Sequence, residues 1–74
     1  MRLKPTNKVI DLLKDIGIMV CGFTDYPNDN KVSLGFHSFI TNIQMVKVVK
    51  IIGFLGVDMN HGALIFGGEA VEEF

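Results

Sequence analysis

The hydrophobic periods along the chain predict a small α+β fold. It is a two-layer sandwich in the order helix, strand, strand, helix, strand, with two helices on one face of a three-stranded sheet. Three observations carry this expectation. A capped segment of helical period begins at Thr6. Two strand-like runs flank the turn-rich Tyr26-Pro27-Asn28-Asp29-Asn30. A long apolar segment, 41–55, repeats its lysines at three residues, Lys47 and Lys50, rather than at two.

Each element has a local cause. Thr6 is an N-cap preceded by Pro5. After it, Val9, Leu12, Leu13 and Ile16 share one helical face, and Lys8, Asp11, Lys14 and Asp15 the other. Gly17 stands where a glycine C-cap belongs, so residues 6–16 read as an amphipathic helix. Residues 18–25, Ile-Met-Val-Cys-Gly-Phe-Thr-Asp, are apolar on both faces at first, which suggests a central strand. Residues 31–37 alternate. Val32, Leu34 and Phe36 point one way, and Lys31, Ser33, Gly35 and His37 the other, as in a half-buried strand paired to the first as a hairpin.

The 41–55 segment is rich in β-branched residues, which favour strands. Its length and its lysine spacing favour a helix. On a helical wheel Met45, Val48, Val49 and Ile52 form one face, while Ile43, Lys47, Lys50 and Phe54 form the opposite one. A helix apolar nearly all round expects burial on more than one side. Gly53 and Gly56 loosen its end, and 57–62 read as a loop. Ala63 to Phe66 form a short buried strand closed by Gly67-Gly68, with a right-handed crossover if that strand runs parallel to a neighbour. The tail from Glu69 to Phe74 is acidic and reads as a solvated terminus.

Size bounds the function. Seventy-four residues allow one domain over 1–74. Such a domain buries only ~60% of the surface its unfolded chain exposes, so it is marginal alone. A single cysteine, Cys21, excludes an intrachain disulfide. Hydrophobic residues make up 49% of the chain and charged residues 20%, which leaves little polar surface to cover it. A homo-oligomer is the expected remedy.

The net charge of −1 gives no field that draws duplex nucleic acid or an anionic membrane. No apolar run approaches a membrane span, and no signal pattern follows Met1 to Lys8. Together with the lone thiol this suggests a cytoplasmic protein.

The main candidate site is the start of the second helix. His37, Ser38, Thr41 and Asn42 cluster there, and no Asp or Glu occurs between Asp29 and Asp58. A helix N-terminus presents free N–H groups and a partial positive charge, so an anion such as a nucleotide suits it. Lys47 and Lys50 add positive charge, from the same or a neighbouring subunit. The structural alternative is that Ser38 or Thr41 simply caps the helix.

Other motifs point to chemistry less specifically. Asn60-His61-Gly62 and Gly67-Gly68 match no phosphate-loop or dinucleotide spacing and read as turns. Cys21, His37 and His61 lack metal-ligand spacing, and Cys21 sits in an apolar run where a buried, inert thiol is expected. No metal or cofactor is implied. Asp58 with His61 is a possible pair in a loop of turn composition.

The expected function is therefore a non-enzymatic, homo-oligomeric binding protein. It captures a small nucleotide-like anion near a helix N-terminus or subunit boundary, with a sequestering or inhibitory role. The alternatives are a small oligomeric enzyme using a histidine between subunits, or an inhibitor that occludes a protein partner.

Overall fold

The architecture comes from a computed structural model that describes residues 1–74. The chain runs β1 (Leu3–Pro5), α1 (Asn7–Ile16), β2 (Val20–Tyr26), β3 (Lys31–Phe36), α2 (Asn42–Val48), β4 (Phe54–Asp58), β5 (Ala63–Gly67) and β6 (Val71–Glu73). Short 3₁₀ turns at Pro27–Asp29 and Gly68–Ala70 link β2 to β3 and β5 to β6. The α+β class and both helices agree with expectation.

The sheet does not. It has four strands in the order β2-β3-β5-β4, all antiparallel, and β1 with β6 forms a separate two-stranded ribbon. No parallel crossover exists, because β5 pairs antiparallel with both of its neighbours. The extra strand is β4, taken from residues read as helix end and loop. β2 was expected at the centre and lies at an edge instead.

α1 forms as its caps dictate. The Thr6 hydroxyl accepts the Val9 N–H at 3.3 Å. Gly17, at φ 93°, takes the left-handed conformation and donates its N–H to the Lys14 carbonyl. Val9 and Leu13 are buried on the inner face, where full burial of one such side chain stabilises by roughly 1.5–3 kcal/mol.

The second helix is shorter than its apolar pattern. α2 ends at Val48, and the chain then tightens into turns in which Lys50 and Ile51 donate to the carbonyls three residues back, Lys47 and Val48. Of the expected inner face, Val48 is fully buried and Met45 partly so, but Val49 and Ile52 are exposed.

The core lies between the sheet and a second layer built from α1, α2 and the β1–β6 ribbon. Val32, Leu34, Leu64 and Phe66 project from β3 and β5 into it, each fully buried, and meet Leu3, Val9, Leu13, Val48 and Ile51. The ribbon covers the β2 end of the core face. There Leu3 donates its N–H to Asp25 Oδ2 at 3.4 Å, and the Phe74 ring meets Phe23 edge-on at 6.3 Å. The acidic tail is thus a paired strand rather than a solvated terminus. Lys4 lies 3.6 Å from Glu72, and Arg2 stacks over Phe74 at 5.0 Å. No helix is long and apolar enough to cross a membrane.

Candidate functional site

Two concave regions and one exposed apolar face are the candidate surfaces of the molecule. The largest is a groove of about 390 Å³ between α1 and the trailing turns of α2. Gln44 at the start of α2 donates to the carbonyls of Ile16 and Gly17 at the end of α1, at 3.4 and 3.5 Å. The end of α2 meets the start of α1 in the groove, so the helices run in opposite directions. The groove is lined with Val9, Leu12, Ile16, Ile51 and Ile52. Around them stand Lys8, Lys47 and Lys50, together with Thr6 and Glu69. Lys47 stands in the last turn of α2, and the tight turn in which Lys50 donates its N–H to the Lys47 carbonyl keeps Lys50 close to it.

Lys47 and Lys50 therefore share a cavity, but not with the other expected residues. Thr41 is the N-cap of α2. Its hydroxyl accepts the Gln44 N–H at 3.1 Å, and its own N–H donates to Gln44 Oε1 at 2.9 Å, which closes a capping box. Asn42 is exposed at the first helical position. His37 and Ser38 line a shallow depression with Phe36 and Phe39, away from both lysines. Gln44, whose amide both closes the cap and ties α2 to α1, is the residue that sequence reasoning missed. Its signal was the Thr-x-x-Gln spacing of a capping box.

The second concave region lies on the open face of the sheet and measures about 350 Å³. Register places Gly22, Gly35, Ala63 and Asp58 in one row across all four strands. The row carries no side chain larger than a methyl before Asp58, so it forms a shallow trough. Cys21 stands at one end and Asp58 with His61 at the other.

Cys21 was expected to be buried, and it is exposed. The cause is a bulge between Val20 and Gly22, which breaks the alternation of β2 and turns the thiol outward. Its Sγ sits over Gly35, 3.1 Å from where a Cβ would be, so any side chain at position 35 would press on the sulfur.

Asp58 and His61 face each other across a turn, with Asp58 Oδ2 2.8 Å from His61 Nδ1. An ionised carboxylate only accepts, so Nδ1 carries the proton and Nε2 is left open towards solvent. The hydrogen bond from His61 is the first cause that holds the Asp58 carboxyl below its ordinary value, with the charge of His61 and the N–H groups of Asn60 and His61 assisting. No group of three or more His, Cys, Asp or Glu residues is arranged to hold a metal ion.

The exposed face belongs to α2 and its flanks. Ile43, Val46, Val49 and Ile52 are each more than half exposed, Leu55 is 62% exposed, and Phe39 stands almost wholly in water.

Comparison with family models, with curated proteins and with solved structures gave no match.

Proposed function

We infer that the chain is a small non-enzymatic binding protein that works as a homo-oligomer and holds a small organic anion, with a sequestering role. The observation that carries this reading is the groove between α1 and α2, where three lysines surround an aliphatic floor. Lys8, Lys47 and Lys50 against Glu69 leave an excess of two positive charges around it. A nucleotide is one anion of suitable charge. Lys47 and Lys50 are exposed at the groove, and Ile52 belongs both to the groove and to the exposed apolar face of α2 and its flanks. A second copy seated on that face would border the ligand. The unpaired thiol of Cys21 fits a reducing, cytoplasmic setting.

The test is thermal melting against a panel of phosphates and carboxylates that includes mono-, di- and cyclic nucleotides. A ligand at one hundred times its Kd stabilises the folded state by about 2.7 kcal/mol, which shifts a domain of this size by several degrees. Lys47→Glu with Lys50→Glu should abolish the shift without unfolding the chain, because both side chains are exposed. A panel in which no anion moves the melting temperature would end this reading.

A second reading, a small enzyme, is favoured by one observation: Cys21, Ser33 and the Asp58–His61 pair line one trough. A carboxylate-held imidazole with Nε2 open is a suitable general base. On that reading the His61 imidazole, at the far end of the trough from Cys21, acts as base on a substrate laid along it, and His61→Ala lowers the rate at which a small activated ester is hydrolysed. A rate that is insensitive to His61→Ala counts against it.

A further inference from the structure

We propose that the groove between α1 and α2 takes a free single-chain amphiphile, a medium- or long-chain carboxylate, with its chain on the aliphatic floor and its head among the lysines. This rests on the reading of the groove as an anion site and narrows the class of anion.

The lining decides between an aliphatic and a nucleotide ligand. Five of its ten residues are hydrophobic, and Val9, Leu12, Ile16, Ile51 and Ile52 are all aliphatic. No aromatic side chain is present to stack on a base. No Asn, Gln or Ser side chain lines the groove to meet a base edge. The one hydroxyl, from Thr6, already accepts the Val9 N–H as the cap of α1. A base seated there would lose its water and leave its polar edge unpaired, a cost that a hydrocarbon chain does not carry.

Charge supplies the orientation. Asn30 to Val57 contains no acidic residue, so nothing on α2 opposes Lys47 and Lys50. Glu69 is the only carboxylate in the lining. An ionised head group is therefore drawn to Lys47 and Lys50 at the α2 wall. A neutral head gains no such attraction.

The experiment titrates the full chain with octanoate, decanoate and dodecanoate below their micellar concentrations. Decanol, adenosine monophosphate and vesicles of phosphatidylglycerol serve as comparisons, and methyl NMR locates the site. Affinity should rise by about two- to fourfold for each added methylene. Shifts should centre on Leu12, Ile16 and Ile52. Lys47→Glu with Lys50→Glu should weaken decanoate by about tenfold or more and leave decanol unchanged.

Decanol binding as tightly as decanoate overturns the proposal, as does binding to vesicles with none to free decanoate. Shifts centred on Phe23 and Phe74 overturn it too. If adenosine monophosphate binds and decanoate does not, the proposal falls while the broader anion reading stands. If neither those two nor any other anion of the panel binds, both fall.

Discussion

Cys21 shows how much one inserted residue changes at the scale of a side chain. In an unbroken strand it would share the core face with Phe23 and Asp25, two and four residues on. The bulge gives β2 one residue more than β3 over that step, and the thiol emerges on the open face beside Gly35. Nothing in the run Val20-Cys21-Gly22-Phe23 announces this, because a bulge depends on how the partner strand pairs.

The Asp58–His61 contact is local by contrast, three residues across a turn, and was readable as a pair. Its carboxyl has a folded value below the unfolded one. The contribution to stability is therefore present above the ordinary aspartate value of ~3.9 and is lost as pH falls through the folded value. Followed by NMR, the Asp58 side chain should titrate below ~3.9, and His61→Ala should move its midpoint back up. A midpoint that ignores His61→Ala would assign the depression to the turn N–H groups instead.

At the scale of the element, the segment 41–55 divides where its chemistry changes. The capping box on Thr41 and Gln44 starts a helix, and the run of β-branched residues through Ile52 does not sustain one. Gly53 completes the change of direction at φ 95°. Its Cα lies against the chain that leaves β5. An added Cβ would come within 2.6 Å of the Ala70 Cβ and 2.9 Å of the Ala70 nitrogen. Its carbonyl accepts the Gly67 N–H at 2.7 Å, so the backbone cannot swing away without breaking that bond.

Gly53→Ala combines a left-handed conformation with overpacking and should cost about 2–4 kcal/mol in a denaturant titration. A loss below about 0.5 kcal/mol, the size of an ordinary surface change, would show that this crossing is not tightly packed. The sequence offered Gly53 as a helix breaker. That it also makes room for Ala70 depends on a contact between residues 17 apart.

At the scale of the whole molecule, the apolar excess foreseen in the composition has a location. Only 14 of 74 residues are buried, while thirteen large hydrophobic side chains are exposed. One group is Ile43, Val46, Val49 and Ile52 along α2 and its trailing turns, and Leu55 on the edge strand β4 is exposed on the other side of the sheet. Leu55 is itself the extra residue of a bulge and lies over Gly67 on the open sheet face.

A homo-oligomer formed through α2 should sediment at a multiple of 8.2 kDa. Val46→Glu, which places a charge at the middle of the face, should shift the protein towards the monomer without loss of secondary structure. A wild-type chain that sediments as a monomer at micromolar concentration would remove the oligomer from the proposed function.

What could be read along the chain was whatever is decided within a turn or two. α1 with its Thr6 and Gly17 caps, the β2–β3 hairpin and the α+β class all follow from short-range period and capping. Pairing over longer distances was not readable. β4 looked like the end of a helix until β5 offered it hydrogen bonds, and β6 looked like a solvated tail until β1 did the same. The bulge that turns Leu55 outward arises in the β4–β5 pairing, and the bulge that turns Cys21 outward is a detail of register within the β2–β3 hairpin. The groove draws Lys8 of α1 and Lys50, some forty residues later, into one lining, and only the packing of α1 and α2 on one core brings them together.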